Sequence, residues 1–341
     1  MAALNVIALT CFAGQQIGRR QLLANAALST SALLPLPARA TVAFDMSRYG
    51  DRELQVATLN RLKQAVRDAA SAEPALIPAF FELAVADALD YRRSGARGGL
   101  DGSVRFAQAV SARPPLARAL SEVDSLQRSL VKQTEVTFAD LLAYAGGQSI
   151  EIVGGPKVLV QLGRDDASSA SSGGGRGDEA LLNFDGASAD ELRAAFASAG
   201  LGSRELMLLA GALGALREVA RVAKPAKVET FNADEDDETT SALAGYAEPQ
   251  QGKGALGADV RMGALDGVPS SGAPFGSAYL RGLIKVGAQG DPIGELLLGD
   301  AELRAIVAKY AGEKPAQFGK DVVDTFQTIS TLGKVTSTRN S

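Results

Sequence analysis

From Leu54 onward, apolar side chains recur every three or four residues, and almost nowhere do they alternate. That spacing puts them on one face of a helix rather than one face of a strand, so the chain is expected to build an all-α core. Leu54, Leu59, Leu62 and Val66 fall on one stripe between residues 51 and 70. Ile77, Phe80, Phe81, Ala84, Val85, Ala88 and Leu89 form a broad apolar face about Pro78, and Leu116, Leu120, Val123, Leu126 and Leu130 repeat in the same way. The next helix opens on Thr137-Phe138-Ala139-Asp140, a capping-box pattern, and Gly146-Gly147 is expected to close it. Ser188 with Glu191 marks another cap, and further helices are expected over residues 203–222, 300–310 and 315–332, the last stopped by Gly333. Only residues 150–162, β-branched and interrupted by Gly154-Gly155-Pro156, read as extended.

Composition removes whole classes of chemistry. The 341 residues include no histidine, no tryptophan and one cysteine. No Ser-His-Asp or Cys-His pair, no His-bound zinc, no His-ligated haem iron and no imidazole base can be assembled from them. With 46% hydrophobic and 22% charged residues, the chain has enough apolar surface for a large core.

The first 40 residues contain no acid and three basic side chains, Arg19, Arg20 and Arg39. The order is that of a twin-arginine leader: Arg19-Arg20, an apolar run of about 15 residues from Leu22 to Leu36, then Ala38-Arg39-Ala40 as a processing site. The run is shorter than the roughly 20 residues a bilayer span needs, so the chain is not expected to cross a membrane. Twin-arginine export serves the thylakoid lumen and the bacterial periplasm, and the leader is compatible with both. Removing residues 1–40 takes the only cysteine, Cys11, and deepens the formal charge from −4 to −7, so residues 41–341 can form no disulfide. The acidic balance also argues against a nucleic-acid partner.

Two polar inserts interrupt the helical pattern. The Ser- and Gly-rich stretch at residues 165–177 reads as a loop, and residues 224–276, with the acidic run 234–238, are expected to have low order. Ser129 and Lys132 match a Ser-x-x-Lys nucleophile pair, but its companion motifs are absent and the match reads as a solvated helix end. Arg176-Gly177-Asp178 reads as a chance tripeptide. The acidic run lacks EF-hand spacing, and the glycines at 173–175 lack the Lys-Ser or Lys-Thr of a phosphate loop.

Several blocks in a fixed order carry a resemblance. Residues 80–91 read FFELAVADALDY, residues 98–106 read GGLDGSVRF, and Thr137-Phe138-Ala139-Asp140-Leu141, Val153-Gly154-Gly155-Pro156 and Leu162-Gly163-Arg164-x-Asp166 follow. Phe275-x-x-x-Tyr279 and Lys309-Tyr310-Ala311 extend the series. In this order they resemble class I haem peroxidases, the ascorbate peroxidase group, with Asp87, Ala88 and Tyr91 matching the helix above the haem. The resemblance implies a haem-peroxidase-like helical fold over about residues 54–333, with residues 224–276 as an insertion.

The chemistry implied by the resemblance does not carry over. At the family's distal arginine, tryptophan and histidine this chain has Glu82, Val85 and Ala86, and Pro115 stands at the asparagine that holds the distal histidine. The iron-ligating histidine position holds Leu213, and the aspartate that would orient that ligand aligns with Gly294. No catalytic, cofactor-binding or metal-binding residue is therefore assigned, and although the family uses haem, no cofactor is expected. Loss of polar groups is expected to let the pocket pack shut. The leader, the 80–91 block and the missing histidines together resemble a thylakoid-lumen branch of the family that keeps the fold without the catalytic residues. That branch implies a haem-free structural or binding protein associated with a thylakoid membrane complex, photosystem II. The other readings are a peroxidase that detoxifies hydrogen peroxide through unconventional iron ligation and a carrier of a small ligand in the former haem cavity.

Overall fold

The computed structural model describes residues 52–94, 98–131, 134, 136–169, 182–223 and 275–333, with side chains from residue 56 onward. All of them lie in the unit Ala43–Ser341. The leader with its boundary at residue 40, Lys132, the Arg176-Gly177-Asp178 tripeptide, the acidic run and nearly all of the 224–276 insert lie outside the described residues.

Among the described residues there are eleven α-helices and no strand. They are α1 (Arg52–Ala72), α2 (Leu76–Ala88), α3 (Gln108–Ser111), α4 (Pro114–Leu130), α5 (Phe138–Ile152), α6 (Ala189–Ala199), α7 (Ser203–Val222), α8 (Ala278–Val286), α9 (Pro292–Gly299), α10 (Ala301–Gly312) and α11 (Pro315–Ser330). A 3-10 turn, Ser103–Phe106, precedes α3. The all-α expectation holds. The short helices α8 and α9 were not legible from periodicity.

Helix α2 occupies the centre and packs against α1, α4, α5, α7 and α11. All 13 of its residues are buried, as an almost wholly apolar helix requires. Two of those residues are acids, Glu82 and Asp87, and each is held by partners.

Three expectations change. The glycine pair 146–147 does not close α5, which runs on to Ile152 before the chain turns at Gly154 with φ of 81°. Those glycines serve packing instead: a Cβ on Gly146 would lie 2.5 Å from the Ala84 Cβ and 2.9 Å from the Phe326 ring, so α5 approaches α2 and α11 more closely than any side chain permits. Residues 150–152 are accordingly helical, and only the stretch after Ile152 lacks helix. On α1 the buried stripe runs through Thr58, Leu62, Val66 and Ala70, whereas Leu59 lies at its margin and is 36% exposed.

The blocks of the resemblance meet as polar staples. Asp87 of α2 accepts hydrogen bonds from the Gly102 N–H (2.7 Å), the Val104 N–H (2.8 Å) and the Ser103 hydroxyl (3.2 Å), which ties the first block to the second. Arg105 then lies 4.1 Å over the Phe138 ring and pairs with Asp124 at 2.9 Å. At the start of α5, Thr137 accepts from the Asp140 N–H, and Asp166 accepts from the Phe138 and Ala139 N–H groups at 3.0 and 2.8 Å. Two oxygen-bearing side chains thus cap one helix start, satisfying donors that have no partner within the helix. Asp140 turns back to the Gly163 N–H (2.6 Å) and to Arg164, a buried pair at 2.9 Å. Arg164 also donates to the Gln161 and Ser330 carbonyls, fastening the end of α11.

Candidate functional site

The α2–α7 contact holds most of the positions at which family chemistry was sought. Helix α2 bears Glu82, Val85 and Ala86, and α7 bears Leu213. Pro115 sits in the first turn of α4, where a proline costs no helical hydrogen bond. Gly294 lies on α9.

Val85 and Leu213 are 0% exposed and Ala86 3%, so no open slot lies against them. Leu213 offers only carbon atoms. Its neighbours on α7 are packed as tightly: Gly211 faces Leu280 and Phe318, and the Tyr279 ring fills the space a side chain on Gly214 would take. Gly294 belongs to another neighbourhood, since a Cβ there would meet Leu283 at 2.8 Å and Ala288 at 3.1 Å. An aspartate could not enter that place without displacing them.

Other donors near this position are poorly suited to iron. The Tyr279 phenol donates to Asp291, and burial first, then that bond, raises its pKa. A phenolate ligand would have to form against both effects. Met207 is buried on α7, but six residues before Leu213, about 9 Å along the axis. The residues at these positions do not fit a haem.

Glu82 and Pro115 tell a different story. The Glu82 carboxylate accepts from two guanidinium groups, Arg113 and Arg217, the latter at 2.8 Å. Arg217 also pairs with Asp185 through two bonds of 2.5 and 3.0 Å, and Arg113 lies 3.9 Å from Asp185 while donating to the Leu182 carbonyl. A direct ion pair thus joins α2 to α7. Beside it lies a cavity of about 520 Å³ whose lining includes Glu82, Pro115, Arg113 and Arg217. The expectation of a pocket packed shut therefore fits Val85, Ala86 and Leu213 but fails at Glu82 and Pro115, which line the cavity together with the arginine–carboxylate cluster.

The sequence reading did not single out Arg113, Asp185 or Arg217. One signal was available: Arg217 follows Leu213 by four residues and so shares its helical face. A buried acid on the facing helix then calls for a cation there. Of the other motif, the Ser129 hydroxyl donates to the Leu126 carbonyl at 2.7 Å, a local helical bond, and Ser129 is exposed. No group of three or more metal-ligating side chains occurs among the described residues. No helix among them is long and apolar enough to cross a membrane.

The family profile described as Peroxidase matches residues 59–313. The chain is 32% identical over 134 residues to L-ascorbate peroxidase 5, peroxisomal, of Arabidopsis thaliana, covering 39% of this chain and 45% of that protein. It is 24% identical over 182 residues to the thylakoid lumenal 29 kDa protein, chloroplastic, of the same plant, covering 46% and 52%. The chain thus spans about half the length of these curated relatives. The crystal structure of the TL29 protein from Arabidopsis thaliana aligns with a TM-score of 0.46 at 17% identity, covering 83% of this chain and 95% of that one.

Proposed function

This chain belongs to the peroxidase family, and from that premise we propose that it is a haem-free pseudo-peroxidase of the chloroplast thylakoid lumen. It acts as a structural or binding protein, associated with a thylakoid membrane complex such as photosystem II. One observation carries the reading: at the position where the family's iron ligand stands, Leu213 presents a fully buried hydrocarbon side chain in a chain without histidine. An iron porphyrin supplies the family's redox chemistry when bound, and nothing at 213 can hold it.

The distal positions support the same reading. A catalyst that breaks the peroxide bond needs a base to move a proton and a cation to stabilise the departing oxygen. Ala86 can do neither, and Glu82 brings a negative charge already committed to Arg113 and Arg217. The staples at Asp87, Asp140 and Arg164 explain how the fold outlives the chemistry, because they lie in the retained blocks and involve none of the changed positions. The lumenal assignment leans on the twin-arginine order of the leader and on relatives named thylakoid lumenal and chloroplastic.

The chain incubated with haem, peroxide and ascorbate is expected to oxidise ascorbate no faster than haem alone. In fractionated thylakoids it is expected to be released with the lumenal contents and to be recovered with a membrane complex after mild cross-linking. Turnover well above the haem blank, or recovery only from the stroma, would defeat the reading.

A further inference from the structure

The cavity beside Glu82 is uneven in character. Its walls are apolar, formed among others by Ala75, Pro78, Ala79 and Leu116, while Glu82, Arg113, Asp185 and Arg217 bond to one another along its lining. Among those groups the two carboxylates, Glu82 and Asp185, are matched by Arg113 and Arg217 through short bonds. The third guanidinium of the lining, Arg221, has no share in that cluster. Its bond is to Glu218 at 3.3 Å, with side chains 74% and 57% exposed, a surface pair of little worth. One guanidinium at the edge of this mostly apolar, ligand-sized cavity is thus held only by a weak surface pair.

We infer that this cavity is a binding site for a small organic monoanion with an apolar body, whose carboxylate takes Arg221 from Glu218 while the body lies against the Ala75, Pro78 and Leu116 wall. The inference rests on the haem-free reading, because the cavity borders the positions where the family would seat its cofactor. A carboxylate on a guanidinium forms a charge-assisted bond, stronger than the neutral contact an alcohol makes there. Burial of the body adds apolar transfer energy, and a second negative charge on the ligand would lose water without gaining a cation, because Arg113 and Arg217 are already matched by Glu82 and Asp185. A dianion should therefore bind less well than a monoanion of the same body.

Benzoate, benzyl alcohol and phthalate serve as probes in calorimetric titration of the full chain. Benzoate is expected to bind saturably at one site, at least tenfold more tightly than either of the others. Arg221→Gln, a change at an exposed side chain, should erase the preference for benzoate over benzyl alcohol and leave the melting temperature unchanged. Ala79→Phe should fill the cavity and abolish binding of all three. The inference is overturned by absence of saturable benzoate binding, by equal affinity for benzoate and benzyl alcohol, or by an Arg221→Gln protein that keeps the preference. The visible spectrum of the same sample reports haem separately, so a colourless protein that ignores benzoate refutes this site alone.

Discussion

Arg164→Met is expected to cost about 3–5 kcal/mol, seen as a large fall in the urea midpoint of unfolding with the slope unchanged, because it strands a buried carboxylate. Arg164 and Asp140 have side chains only 3% and 4% exposed. The Gly163 and Arg164 N–H groups still reach Asp140 in the variant, but the neutralising charge is gone. The Gln161 and Ser330 carbonyls lose their donor as well. For a fold whose total stability is about 5–15 kcal/mol, that is a substantial share. Adding Asp140→Leu should recover part of the loss, since replacing a whole buried pair by apolar groups is far cheaper than breaking it. A single variant within about 1 kcal/mol of the parent would show that the pair does not staple the fold.

The second large effect is a dependence of stability on pH that runs opposite to ordinary acid denaturation. Burial first, and then the charge of Asp101, push the Asp87 carboxyl up to about 7, against the hydrogen bonds of Val104, Gly102 and Ser103 that pull it down. The folded state therefore holds a proton that the unfolded chain releases near 3.8. The resulting stabilisation is complete below about pH 3.8 and is lost as the pH rises through about 7. Its slope approaches one proton, about 1.4 kcal/mol per pH unit, within that window. Asp300 shifts the other way, lowered chiefly by its hydrogen bond from Arg193, and so acts below the window. Asp87→Asn should remove the slope between pH 4 and 7. Denaturation curves at five pH values decide the point, and a slope that survives in Asp87→Asn assigns it to other groups.

Much of this architecture was readable in advance because helices advertise themselves locally. The Thr137 and Ser188 caps, the Leu116 to Leu130 repeat of α4 and the heavy apolar content of α2 each name a helix from a few residues. Gly146 misled because a glycine in a helix means either an end or a close approach, and only the position of Ala84 and Phe326 distinguishes them. Leu59 misled because a four-residue repeat drifts around the helix, leaving a stripe's margin in water. Helices α8 and α9 have nine and eight residues, too short for periodicity to stand out.

The site was legible as a set of departures and illegible as a set of partners. Glu82, Val85, Ala86, Pro115 and Leu213 could be named from order along the chain alone. That Glu82 gathers Arg113 and Arg217, separated from it by 31 and 135 residues, depends on tertiary contact. The same holds for Asp87 and Arg164: the sequence showed the blocks, and the structure shows that these blocks are joined by hydrogen bonds to buried polar side chains. What the family resemblance preserves in this chain is its internal fastening.

The most direct test is the visible absorption spectrum of the chain purified after incubation with excess haem. The account predicts that haem separates from the protein on gel filtration, leaving no Soret band in the protein fraction. One haem per chain, retained through gel filtration with a Soret band and peroxide-dependent ascorbate oxidation, would contradict it.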